Sequence, residues 1–228
     1  MQAAPTMASP MAQHQGWPFS VKRCTPTIGA DIEGVDLGQP LDDETYGALR
    51  QALLKFKVLF FRGQDITPAQ HVGVARRFGE LETHAMLRHH PDHPELIVFG
   101  HNDQDRGREN LFHSDVSWRE IPSMGSMLRC IECPEVGGDT IWVNMVEAYK
   151  NLPEEIKAKI AKLKVKCSIE HSFGAAMPED KRLELGRNNP MVEHPVVRTH
   201  PETGEKILYV SSFATHFANY HTPENVRF

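Results

Sequence analysis

Apolar positions recur at helical spacing in two early segments. In "DETYGALRQALLKF", Tyr46, Leu49, Leu53 and Phe56 fall on one face, and Asp42 or Asp43 can cap the start, which predicts a helix. "TPAQHVGVARRFG" predicts a second, with Thr67 as N-cap, Pro68 in the first turn and Gly79 as a stop. Between them, "KVLFFRG" is a continuous apolar run and predicts a strand buried on both faces. Upstream, "FSVKRC" and "IGADIEGVDL" read as two strands separated by a Thr-Pro turn.

The pattern changes after residue 123. "MGSMLRCIEC", "DTIWVN" and "KVKCSIEHS" are strand-like, with short helices at "VEAYKNL" and "PEEIKAKIAKL". "EHPVVRTH", the turn "PETGE" and "KILYVSS" read as a hairpin. Residues 82–110 are polar and rich in histidine and turn formers, as expected of a long functional loop or lid. Helices ahead of a β-rich region imply an α+β protein with a sandwich or jelly-roll core. One domain over 19–228 is expected, preceded by a loose tail at 1–18 that lacks the basic start and apolar stretch of a signal peptide.

Composition narrows the function classes. A net charge of -5 and pI near 6.2 give no footing for nucleic acid or an anionic membrane. No apolar run, "VLFF" included, approaches the ~20 residues that span a bilayer, and a cytoplasmic protein is expected. Cys24, Cys130, Cys133 and Cys167 are expected to be reduced. Cys130 and Cys133 form a CxxC, but strand-like alternation would set them on opposite faces, against a zinc site.

The chemistry concentrates in "LFHSDVSW". His-x-Asp occurs three times in the chain, but His90 and Asp92 sit in proline-broken loop and His101 and Asp103 in a solvated turn. Only His113 and Asp115 have apolar and aromatic neighbours on both sides. In an extended segment residues two apart point the same way, so an imidazole and a carboxylate can converge. Two readings stand: a side-chain hydrogen bond at a strand end, or two corners of a facial triad that binds Fe(II) and leaves three positions open. In "PEVGGDTIWVN", Thr140 opens a strand after a Gly-Gly turn. Its hydroxyl could donate to a ligand carboxylate, or it could be there for its β-branching.

Four segments, "RRFGELETH", "FHSDVSW", "PEVGGDTIWVN" and "EHPVVRTHPETGEKILYV", together resemble the taurine and 2,4-dichlorophenoxyacetate dioxygenase family of iron(II)/2-oxoglutarate-dependent oxygenases. The resemblance implies a double-stranded β-helix with flanking helices, Fe(II), 2-oxoglutarate and O2 as cofactor and co-substrates, and succinate and CO2 as products. It implies His113 and Asp115 as iron ligands, Thr140 as a 2-oxoglutarate contact, and His84, Asn110 and Val116 as substrate contacts. The implied partner is a small organic acid: a sulfonate, sulfate ester or aryloxyalkanoate. Ala176 and Met177 stand where the taurine enzyme has a Ser-Phe pair, which argues against taurine itself. Relatives commonly self-associate, so a homo-oligomer is expected.

The family's second iron histidine and its 2-oxoglutarate-pairing arginine come late, and "HTPENVRF" precedes both. The expectation is therefore a β-helix incomplete at its C-terminus, with two of three iron ligands and the other groups beyond residue 228; His194 and His200 are expected to be structural. Two other classes compete: a zinc-dependent jelly-roll protein using His84, His89, His90, His93, His101 and His113, and a non-catalytic ligand-binding jelly roll. Pro91 argues against His89 and His93 sharing a helix.

Overall fold

A computed structural model describes residues 16–84, 86–100 and 111–219. The chain divides into two compact units, between Phe78 and Gly79.

In the first unit, β1 (Ser20–Arg23) pairs antiparallel with β2 (Ala30–Glu33), and Gly29 turns the chain between them at φ +85°. α1 (Asp43–Phe56) has the predicted bounds: the Asp42 carboxylate accepts from Thr45 N at 2.7 Å, and Leu49, Ala52 and Phe56 are buried. β3 (Leu59–Phe60) then runs parallel to β2 at the edge of the sheet. The "VLFF" expectation needs correction here. The strand is two residues long and only half-buried, because an edge position covers it on one side. α2 (Pro68–Arg76) starts in a full capping box, Thr67 and Gln70 each satisfying the other's backbone N–H.

The second unit opens with a hairpin where the sequence pattern predicts loop, β4 (His89–His90) against β5 (His93–Ile97). Pro91 thus sits in a hairpin turn, which removes the helical relation between His89 and His93. After residue 144 come α3 (Met145–Lys150), capped by Asn144, and α4 (Glu154–Ile160), both where predicted. β6 (Lys164–Cys167) follows and stops four residues into its predicted run: the Ser168 hydroxyl accepts from His171 N at 3.3 Å and starts α5 (Ile169–Phe173). α6 (Glu179–Asn188) has no counterpart among the predicted elements, since its sequence "EDKRLELGRN" buries only Leu185.

β7 (Val192–Pro195) and β10 (Ala214–Phe217) flank β6 in an antiparallel sheet, with β8 (Val197–Thr199) and β9 (Lys206–Leu208) forming the predicted hairpin between them. On this sheet Val165, Cys167, Ile169, Leu185, Val196, Phe213 and Ala214 pack with Val116 and Trp118. The segment 113–118 is therefore anchored in the core of this unit through Val116 and Trp118. Burial pushes the Cys167 thiol up to about 11, leaving it an apolar packing group.

Two predicted strands are not formed. Residues 122–143 form a strandless ribbon that bends at 124, 131 and 135–136, and much of its apolar surface faces outward, Ile131 being 81% and Val136 88% exposed. The alternation in "SMLRCIEC" is real, but alternation makes a strand only where a neighbouring strand supplies the ladder. Cys130 and Cys133 are both exposed, and the Cys130 thiol donates to Glu132 O at 3.4 Å. Among the described residues, no helix is long and apolar enough to cross a membrane.

Candidate metal centre and active site

His113 lies just ahead of the turn 115–118, which Asp115 begins. The two side chains converge, with His113 Nε2 3.2 Å from Asp115 Oδ1. Two donors each ~2.1 Å from one ion and at right angles to each other lie about 3 Å apart, so this spacing suits adjacent corners of a coordination sphere. The Nδ1–H of His113 donates to Leu111 O at 2.8 Å, which leaves the lone pair on Nε2, beside the carboxylate. Asp115 Oδ2 accepts from the Ser126 hydroxyl, so one oxygen is held and Oδ1 faces the imidazole. An imidazole nitrogen and a carboxylate oxygen, each oriented by a second bond, fit a divalent ion of the Fe(II) type.

The turn that carries Asp115 is unusual. Val116 has φ +56°, in the left-handed region, where a β-branched side chain costs on the order of 1–3 kcal/mol. Burial offsets that cost: Val116 and Trp118 are core residues, and the indole packs edge-on to Phe213 at 4.6 Å between ring centres. The Ser117 hydroxyl, fully buried, bonds Ser211 Oγ at 3.0 Å, and Ser212 N donates to Phe112 O at 3.2 Å. His194, on β7, donates from Nε2 to Arg119 O at 2.9 Å. That bond commits His194 to the backbone, as expected of a structural histidine. His200 is likewise engaged, its Nδ1 accepting from Glu202 N and Thr203 N in the β8–β9 turn.

His84 reaches the same neighbourhood through an ion pair between Glu82 and Arg119, 2.9 Å long. Its buried ring lies 5.4 Å from Trp118 and 5.6 Å from Phe173. Met86 N donates to its Nδ1 at 3.2 Å, so the neutral ring carries its proton on Nε2. His89 Nε2 donates to His84 O at 2.6 Å, which fixes this segment to the β4–β5 hairpin. The structure thus gathers His84, His113, Asp115 and Val116 around one aromatic cluster, with Val116 contributing core packing. It leaves Thr140 exposed on the ribbon, without a hydrogen bond to the pair. Asn110 lies outside the described residues, and so do His101 and Asp103. Among the described residues no group of three potential ligands forms. Sequence reasoning missed Ser126, Ser117, Ser211 and the Glu82–Arg119 pair, whose partners are remote in the chain and carry no local signature.

Burial holds both His84 and His194 below the ordinary imidazole value of 6.5. For such groups the unfolded chain binds more protons in acid than the folded one, so stability rises with pH. Their contribution is complete above about 6.5 and is lost as the pH falls through the folded values. Thermal melts from about pH 8 to about pH 5 should show a falling midpoint below that threshold; a midpoint that rises on acidification would contradict this assignment.

Residues 20–228 match the family described as taurine catabolism dioxygenase TauD, TfdA. The chain belongs to this family. Among its relatives, the chain is 35% identical over 206 residues to an alkylsulfatase of Acinetobacter baylyi, a match covering 86% of this chain and 63% of that protein. It is 34% identical over 202 residues to an alpha-ketoglutarate-dependent sulfate ester dioxygenase of Pseudomonas putida, covering 85% and 66%. Among family structures, a taurine dioxygenase from Burkholderia xenovorans superposes with a TM-score of 0.75 at 34% identity, covering 91% of this chain and 68% of that one. The AAD-2 structure, which holds Mn(II) and N-oxalylglycine, superposes with a TM-score of 0.67 at 27% identity, covering 91% and 75%. The chain spans about two thirds of the length of the alkylsulfatase and the sulfate ester dioxygenase.

Proposed function

We propose that this chain is the Fe(II)/2-oxoglutarate-dependent dioxygenase its family membership suggests, acting on a small organic acid and, within that class, on an alkyl sulfate ester. The observation that carries the reading is the convergence of His113 Nε2 on Asp115 Oδ1, each held by a second hydrogen bond. The alkylsulfatase and sulfate ester dioxygenase relatives support the substrate class. We read residues 19–228 as one dioxygenase domain with a jelly-roll core, self-associating as family members commonly do.

His113 and Asp115 would hold the metal, the first through its Nε2 lone pair and the second through Oδ1. When bound, Fe(II) with 2-oxoglutarate and O2 supplies the oxidising power to hydroxylate an unactivated C–H bond, with succinate and CO2 as products. This chain's residues do the rest. The Ser126 hydroxyl keeps the Asp115 carboxylate turned toward the imidazole. His84 offers its Nε2–H to an anionic oxygen of the substrate, and being neutral it does so without a buried charge of its own. Trp118, Phe173 and Phe213 form an apolar wall on one side of the metal pair. We assign Thr140 to a 2-oxoglutarate carboxylate and Val116 and Asn110 to the substrate side.

Hydroxylation of the carbon that bears the ester oxygen would give an unstable hemiacetal-type sulfate, which collapses to aldehyde and sulfate. The test is to incubate the protein with Fe(II), 2-oxoglutarate and a medium-chain alkyl sulfate in air. Succinate and aldehyde should appear together in equal amounts. Succinate stimulated instead by an aryloxyalkanoate would move the substrate class, and no substrate-stimulated succinate would overturn the enzyme reading.

A further inference from the structure

We propose that His194 is a positioning residue for the metal pair: its hydrogen bond to Arg119 O, with the Ser117–Ser211 hydroxyl bond, clamps the turn 115–118 in the conformation that presents Asp115 to His113. The inference rests on the metal-pair reading above and assigns that site a support outside its own segment.

The turn would not keep this shape by itself. Its own backbone contributes one closing bond, Arg119 N to Val116 O at 3.0 Å, and Val116 sits in a left-handed conformation that its branched side chain disfavours. A shape of that kind persists only where the surroundings over-determine it. Two remote segments do so. Ser211 lies just ahead of β10 and meets the Ser117 hydroxyl, which is fully buried. His194 comes from β7, in register with Val165 on the central strand, so its position is set by a continuous ladder.

The His194 ring is also fixed on its own account. It is buried and packed edge-on to Tyr209 at 5.3 Å. The imidazole therefore holds the backbone at Arg119 while Ser211 holds the Ser117 hydroxyl, one tie on each side of Trp118. Asp115 begins the turn so held, and displacing it by about an ångström would separate Oδ1 from Nε2. An outer partner that orients a ligand typically governs metal affinity by about 10–100-fold. The same logic applies here to a partner that orients the ligand's backbone.

The experiment compares the full chain with His194→Phe, His194→Gln and Ser211→Ala. Phenylalanine keeps a ring against Tyr209 but has no donor; glutamine restores an N–H at the position of Nε2. Amide exchange over residues 115–119 is measured without metal, and Co(II) affinity by anaerobic titration. In His194→Phe, exchange in the turn should rise at least ~10-fold while β6 and β7 amides keep their protection, and the Co(II) Kd should rise ~10-fold or more. His194→Gln should return both to within about threefold of the parent. Ser211→Ala, which deletes one hydroxyl, should move both in the same direction by less, and it decides the question if the phenylalanine variant does not fold. Unchanged exchange in the turn overturns the proposal, as does faster exchange with unchanged affinity, or a glutamine variant as weak as phenylalanine. A parent chain that binds no Co(II) would overturn the metal-pair reading itself, and with it the claim that there are ligands to position.

Discussion

Replacing His113 by alanine should abolish metal binding at the site and, with it, substrate-stimulated succinate formation. The expectation follows from how few donors would hold the ion: the described residues supply one imidazole nitrogen and one carboxylate oxygen, 3.2 Å apart. Loss of an outer hydrogen-bond partner alone costs about 10–100-fold in affinity, so loss of a donor should cost at least ~10²-fold. Asp115→Asn is the sharper companion. It keeps volume and one oxygen but removes the negative charge that balances a divalent cation, and it should weaken Fe(II) by a similar factor. Ser126→Ala, which frees Asp115 Oδ2 without touching a donor atom, should fall near the lower end, about 10-fold. The check is an anaerobic Fe(II) titration in the presence of 2-oxoglutarate, followed by the visible charge-transfer band. A His113→Ala protein that keeps the band at parental affinity would remove His113 from the site.

Trp118→Ala should be the most destabilising single truncation near the site. The indole is buried and touches Phe213, Phe173 and the His84 ring. Truncating a buried tryptophan costs ~3–5 kcal/mol through lost transfer energy and the cavity left behind. For a chain of this size that corresponds to roughly 6–20 °C in Tm, a large share of the ~5–15 kcal/mol that ordinarily separates folded from unfolded. Trp118→Phe, which keeps a ring against Phe213, should cost less than half as much. Differential scanning calorimetry distinguishes the two, and a Trp118→Ala protein melting within about 2 °C of the parent would mean the cluster contributes little.

His113 and Trp118 come from one short segment, and what surrounds them is unequally written in the sequence. The i, i+2 relation makes convergence of His113 and Asp115 readable, because it depends only on local backbone geometry. What makes the pair usable is not readable. Ser126, Ser211 and His194 come from segments whose approach is decided by tertiary packing, and no local spacing encodes it. The same division runs through the fold. α1 is legible to the residue since a carboxylate cap and a repeating apolar face both lie within it. α6 is hidden because its surface is almost wholly polar and one leucine does its packing. The β4–β5 hairpin is masked by histidine and proline in a stretch that looks like loop. The "SMLRCIEC" and "DTIWVN" patterns fail for the opposite reason: each has strand character, yet a strand is a property of two segments at once.

That unladdered ribbon, residues 122–143, also governs how the molecule meets a protease. Protease clefts bind substrate as an extended chain, with main-chain hydrogen bonds of the kind a sheet edge offers. Here no sheet ladder has to be broken to reach that conformation, and bulky apolar side chains are presented outward. A nick midway along it needs no unfolding of the β6–β7–β10 sheet, yet it would part Asp115 and Ser126 from Thr140 while Trp118 and Phe213 stayed packed. Chemical competence and physical integrity would then have different lifetimes, the first ending while the second persists.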